Sequence, residues 1–346
     1  MTSAAILDHF RAQGDICTNL GSPFTGNLCH ILADLLPMSD APVAKTVLSF
    51  SADPRDAALA LRLCGGLHAL SWRDDRLAEV YPPNGVPPHI LRQRVSAALF
   101  DEALQDWLKA APQTNEVARS GVLLGGLLTI AARNGALNLY EIGSSAGLNL
   151  FPEKYRYDFG GGRHWGAPDA TVTLECEWSG APPAFDIPLE IMDRAGSDLS
   201  PIDASNPQAA ARMLAYIWPD QPQRLARARA ALALVGAARP PIATAGAAEW
   251  LASIAPEIQN ASAHPVIFHS VMWGYLSDVE RRAVATQLAE LGRTRPLSWL
   301  RLELDDRSDS ATVQLTEWPT GDTVELARAD FHGRWARWHP SPISIA

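Results

Sequence analysis

Cysteine is scarce: Cys17, Cys29, Cys64 and Cys176 are the four in 346 residues, and no two form a C-x-x-C pair. That spacing gives neither a zinc motif nor a dithiol redox pair, and His30 beside Cys29 has no further clustered ligands. No metal site is expected, and the thiols read as small buried residues of a reducing compartment. Long hydrophobic runs are missing as well. The longest, 121–132, lies between Arg119 and Arg133, well short of the ~20 apolar residues that cross a bilayer. It predicts a core helix and no membrane partner. Residues 1–15 carry Asp8, His9 and Arg11 where a secretory leader needs an unbroken apolar stretch, so a cytoplasmic chain is expected. Positive charge is in deficit, with 29 Lys and Arg against 38 Asp and Glu and a net charge of -9. Such a balance disfavours a surface that holds phosphate backbones, and no nucleic acid is expected. Neither internal repeats nor low-complexity tracts stand out.

What is there is a globular composition, 47% hydrophobic and 19% charged, in a chain long enough for two domains. Apolar residues recur at three- and four-residue spacing through 27–36, 56–70, 90–108 and 117–132, predicting helices. Turn strings at Asp53-Pro54, 81–85 and Ala111-Pro112 separate them. From Arg133-Asn134-Gly135 onward short apolar strands alternate with helices. Strands are predicted at 137–142, 189–193, 242–245, 265–269 and 298–304, with helices at 206–218, 221–235 and 277–291. An antiparallel hairpin at 311–318 and 323–331 closes the sheet. The expectation is an all-α N-terminal domain, 1–135, acting as a cap, and an α/β domain, 136–346, with a doubly wound, mostly parallel, Rossmann-type sheet. A small β insertion is expected at about 157–188, marked by Gly160-Gly161-Gly162 and the alternating 171–176.

The segment 137–150, LNLYEIGSSAGLNL, reads as a buried strand, a turn of small residues and a helix start. Gly143 and Gly147 let the backbone turn sharply and approach a ligand, and free N–H groups at a helix start favour an anionic group. For S-adenosylmethionine that group is the methionine carboxylate. Glu141, below the turn, is suited to hold the ammonium end. Gly143, Ser144, Ser145, Gly147 and Asn149 complete the candidate cofactor corner. Small residues that merely let a helix pack on a strand are the plainer alternative. Beyond the second strand, Asp198 with Leu199 is the candidate for the ribose hydroxyls. A turn or helix cap is its structural alternative.

Together these strings resemble class I S-adenosylmethionine-dependent methyltransferases over the last 210 or so residues. The whole chain is also similar to a bacterial family catalogued as domain of unknown function 2332. That likeness rests on Gly21-Ser22-Pro23, residues 113–117 with Arg119, 141–150, Asp198-Leu199-Ser200-Pro201, Trp218-Pro219 and His269-Ser270. The resemblance implies S-adenosylmethionine as cofactor and a small-molecule or protein acceptor. It departs from the methyltransferase pattern at Ser145, which stands for the second loop glycine. It departs again after the third strand, where no acid is present for the adenine amino group, leaving backbone, Glu249 or Trp250.

Strand ends of open α/β sheets carry reacting groups, so His269 and Ser270 are the catalytic candidates, His269 as proton acceptor or as a buried structural residue. Trp273 and Tyr275 are candidate acceptor-pocket walls. Asn115 and Glu116 are candidate substrate-binding residues or helix caps. Two rival functions stay open. One is a non-catalytic protein that binds S-adenosylmethionine or a nucleotide without turnover. The other is an α/β serine hydrolase, because Gly143-Ser144-Ser145-Ala146-Gly147 also fits G-x-S-x-G, with Asp305 or Asp306 and His332 following Ser145 in order.

Overall fold

The computed structural model describes residues 2–305 and 310–345, which fold as two compact units. Unit 1 is Met1–Thr114 with Pro207–Arg229, and unit 2 is Asn115–Asn206 with Ala230–Ala346. The expected boundary near 135 therefore differs from the observed division. The reason is packing: the apolar helix that ends at Asn134 lies on the sheet, where Gly126 admits the Leu300 side chain against its backbone.

Unit 1 is helical. It contains α1 (Ser3–Asn19), α2 (Pro23–Leu35), α3 (Pro42–Leu48), α4 (Leu59–Ser71), α5 (Asp75–Ala78), α6 (Pro88–Ala98) and α7 (Leu104–Leu108). One apolar cluster, centred on Phe10, Leu28, Leu32, Leu59 and Leu63, holds these helices together. The Gly21-Ser22-Pro23 string has a structural explanation. Pro23 occupies the first turn of α2, where a missing N–H costs nothing. Asp220 accepts from the Ser22 hydroxyl at 2.5 Å and from the Phe24 amide at 2.9 Å, capping the helix from a distant part of the chain.

Unit 2 opens with α8 (Ser120–Asn134) and carries the strands. These are β1 (Leu137–Ile142), β2 (Arg156–Asp158), β3 (His164–Trp165), β4 (Thr173–Glu175), β5 (Glu177–Gly180), β6 (Ile191–Asp198), β7 (Ile242–Thr244) and β8 (His264–Ser270). They continue with β9 (Ser298–Leu304), β10 (Ala311–Glu317), β11 (Asp322–Ala329) and β12 (Trp335–Ile345). The remaining helices of the chain are α9 (Pro207–Ala215), α10 (Pro222–Ala238), α11 (Ala247–Asn260) and α12 (Asp278–Thr294).

Nine strands form one mixed sheet in the order β5-β12-β11-β10-β9-β8-β1-β6-β7. Strands β7, β6, β1, β8 and β9 are parallel to their neighbours, whereas β9 to β12 run antiparallel. The expected terminal hairpin is thus β10 and β11, extended by β12. Pro340 and Pro342 disguise β12 in sequence, but they fall past the residues that pair with β5 and in the irregular stretch between its two runs of pairing with β11, where no ladder N–H is needed. The insertion builds a separate sheet, β3-β2-β4, and contributes β5 to the edge of the main one. Helix α11 was not expected from sequence, because Pro256 inside it reads as a breaker. Tyr140, Ile142, Trp250, Leu251, Ile267, Val284 and Leu288 form the core on its side of the sheet.

One expectation fails at the corner that matters most. After β1 no α-helix begins: the chain makes only 3-10 turns, Leu148–Leu150 and Pro152–Lys154. Pro152 has no N–H to give the Leu148 carbonyl, and the Tyr155 hydroxyl takes that carbonyl instead at 2.5 Å. The anion-favouring helix start is therefore absent here.

Candidate functional site

Strand β1 is central, with β6 on one side and β8 on the other, and the chain leaves it first toward β6 and β7 before returning to β8. A crevice at such a reversal is where open α/β sheets place ligands. The turn after β1 has three residues in the left-handed region, Gly143 (φ 68), Ser145 (φ 53) and Gly147 (φ 77). Two are glycine, as that geometry favours, while Ser145 adopts it against its Cβ. Close packing also requires the glycines: a Cβ on Gly143 would lie 3.1 Å from the Met272 side chain, and one on Gly147 2.9 Å from Ile242.

The turn is held by named groups. Ser144 donates its amide and its hydroxyl to the Ser197 carbonyl at 2.9 and 3.3 Å. Asp198 accepts from the Ser145 amide at 2.9 Å and, through its other oxygen, from the Ser200 amide at 2.9 Å. It therefore performs the cap expected as its structural alternative. Leu199 beside it is 76% exposed. Asn115 is brought to the same corner, accepting from the Leu148 amide at 2.9 Å. Glu116 is buried and accepts from the Ala118 amide at 3.1 Å, starting the turn Val117–Arg119.

Beneath the turn lies Glu141, 1% exposed. Burial pushes its carboxyl well above the usual range, and the nearby Asn149 amide and the Arg119 guanidinium only partly oppose this. Its Oε2, the Ser145 Oγ and both amide atoms of Asn149 are buried and make no hydrogen bond of ordinary geometry among the described residues, the approach of Asn149 to Glu141 being looser than that. Natural proteins rarely leave so many polar atoms unpaired in one place, which marks the spot as built for something further. Arg119, which sequence reasoning did not include in the site, donates to the carbonyls of Ser270 (3.2 Å) and Phe331 (2.9 Å).

The end of β8 supplies the second group. His269 is fully buried, and its Nδ1 lies 2.6 Å from Glu303 Oε1 on β9. The Met272 and Trp273 amides also donate to that carboxylate, each at 3.2 Å. Because Nδ1 faces a carboxylate it carries the proton, and Nε2, with no partner among the described residues, is the nitrogen left to accept one. Trp273 stacks on His269 with ring centroids 5.0 Å apart and planes 10° apart. Between them the chain reverses at Val271, whose φ of 51° is a strained value for a β-branched residue. Ser270 is buried, whereas Tyr275 is 88% exposed. Glu303 was missed from sequence, although an acid two residues after Arg301 in an otherwise apolar strand is its trace.

Other sequence candidates fall elsewhere. Trp250 is a core residue, its ring packed beside Tyr140, and Glu249 is exposed at the start of α11. Ser145 Oγ pairs with no histidine among the described residues, so the hydroxyl–imidazole contact of a serine nucleophile is not formed. Of its supposed partners, Asp305 is paired with Arg328 at 2.6 Å and Asp306 lies outside the described residues. No described helix is long and apolar enough to cross a membrane.

The family model described as an uncharacterized protein conserved in bacteria (DUF2332) matches residues 7–338, so the chain belongs to that family. Comparison with curated proteins and with solved structures finds no match.

Proposed function

Taking that family membership as the premise, we propose that unit 2 is an S-adenosylmethionine-dependent methyltransferase domain of class I type, acting on a small-molecule or protein acceptor. The observation that carries the reading is Glu141: a wholly buried carboxyl with a partnerless oxygen, at the carboxyl end of the central strand, beside the sheet's reversal. A buried acid without a partner is costly unless it is neutral or meets a cation. The ammonium group of a methionine moiety is such a cation, and Asn149 and Ser145 offer unpaired polar atoms beside it. The parallel order β7-β6-β1-β8-β9 is the doubly wound order that such a domain requires.

The missing helix start changes how the corner is built. The carboxylate end of the ligand has no helix dipole to meet, and the turn's own amides are largely committed to Asp198, Ser197 and Asn115. Arg119, electrostatically coupled to Glu141, is the cation available in its place. Asp198 holds the turn at the position beyond the second strand where ribose hydroxyls would lie.

When bound, S-adenosylmethionine supplies an electrophilic methyl group, transferred by in-line displacement in which positioning and exclusion of water do much of the work. His269 then has one task, to accept a proton from the acceptor at Nε2, and Glu303 fixes the ring for it through Nδ1. That oriented pair favours turnover over passive binding. Calorimetry with S-adenosylmethionine and S-adenosylhomocysteine tests the reading, with both binding the wild type and at least tenfold more weakly binding E141Q. Binding of neither to the wild type overturns it.

A further inference from the structure

The antiparallel half of the sheet carries a polar groove that shares Glu303 and Trp273 with the His269 site and extends beyond it. On one face of β9 to β11 the rows Arg301-Gln314-Glu325 and Glu303-Thr312 are direct cross-strand neighbours. They line a groove of about 520 Å3, bounded at one end by Trp273. The volume is that of a small-molecule site. The opposite face of β9 belongs to α8, where Leu300 packs on Gly126, so the polar row is not a core that lost its covering helix.

The acids of this groove are already engaged. Glu303 holds His269 and two backbone amides. Glu325 accepts from Arg328 at 2.8 Å and lies 2.9 Å from His339 Nε2. Arg301 is different. Its guanidinium lies 4.0 Å above the Trp299 ring and donates to the Thr316 hydroxyl at 2.8 Å. It forms no ion pair among the described residues, and its Nε is buried without a partner. Burial lowers it to about 10, and the Glu303 charge nearby only partly offsets this. A cation held flat on an indole, kept from carboxylates that all face other donors, is an anion receptor waiting for its anion.

We propose that this groove binds a small molecule through one anionic group, a carboxylate or a phosphate, received by Arg301, with Gln314 and Thr312 hydrogen-bonding beside it. The site stands on the groove alone and does not depend on the cofactor reading. Its test is equilibrium dialysis of the full chain at fixed ionic strength with radiolabelled inorganic phosphate and, separately, radiolabelled succinate. R301Q removes the receptor. Q314E leaves it in place but puts a carboxylate directly across the ladder from it, so it pairs with the guanidinium and repels the anion without emptying the fold. One equivalent of bound anion in the wild type, weakened at least tenfold in both variants, is the expected result, and whichever label shows it names the anionic group. Identical isotherms for wild type and Q314E with both labels overturn the proposal, as does the absence of saturable binding to the wild type.

Discussion

Replacing Glu303 by Gln tests the His269 assignment most directly. The native carboxylate accepts three N–H groups, His269 Nδ1 and the Met272 amide on one oxygen and the Trp273 amide on the other. An amide offers one acceptor oxygen. In its better orientation it keeps His269 and Met272 as neutral bonds and turns an NH2 toward the Trp273 N–H. Hydrogen bonds to a charged acceptor contribute about 1.5–3 kcal/mol and neutral ones about 0.5–1.5, while a buried donor left unpaired costs about 1–3. Two bonds weakened by about 1–1.5 kcal/mol each and one donor left unpaired at about 1–3 give a destabilisation of about 3–6 kcal/mol for a side chain that is 14% exposed. The assay is urea unfolding followed by tryptophan fluorescence, together with hydrogen exchange at Met272 and Trp273 and the ring nitrogen shifts of His269. E303Q should lower the unfolding midpoint, deprotect the Trp273 amide and shift the His269 ring nitrogens as the charged acceptor at Nδ1 becomes a neutral one. An unchanged midpoint with unchanged His269 ring shifts refutes the claim that Glu303 sets that ring.

The buried acid gives a pH signature: because folding raises the Glu141 carboxyl, the stability linked to it is fully present below the ordinary carboxylic range and is lost as pH rises through the raised value. Each pH unit across that window removes about 1.4 kcal/mol, and E141Q should flatten the dependence in unliganded protein, as measured by denaturant titration across pH. D198A should cost about 2–4 kcal/mol through loss of the two amide bonds to Ser145 and Ser200, read as a lower unfolding midpoint and faster exchange of both amides. D220A uncaps α2 by removing the bonds to Ser22 and Phe24, for about 1–3 kcal/mol, and should shift unfolding without touching ligand binding at the β1 corner.

Much of the sheet was legible, for a physical reason. Strands β1 and β9 begin and end where apolar runs and flanking turn residues place them, because β1 is buried along its whole length and β9 has one face packed on α8. What was not legible depended on distant partners. The chain after Gly147 has the small and apolar residues of a helix start, yet Pro152 and the Tyr155 hydroxyl decide against it. Helix α11 and strand β12 went unpredicted, and both contain proline, Pro256 in the one and Pro340 and Pro342 in the other. At the site, Glu141 and His269 could be picked from strand ends alone. The Glu303 partnership could not, since nothing in 264–275 reveals which β9 side chain faces His269. Asp198 was chosen for a ligand and found gripping the backbone, the same carboxylate chemistry applied to a nearer donor.

The turn after β1 differs from a helix-borne ligand loop in how its duties are divided. At a helix end a dozen peptide units share the task, and losing one contact leaves the collective field nearly intact. Here each amide answers to one atom: Ser145 to Asp198, Leu148 to Asn115, Ser144 to the Ser197 carbonyl. Such a corner has no redundancy, but it has independent adjustments. A lineage carrying it can retune one contact while the others stay fixed, so ligand preference can drift by single substitutions that leave the sheet untouched.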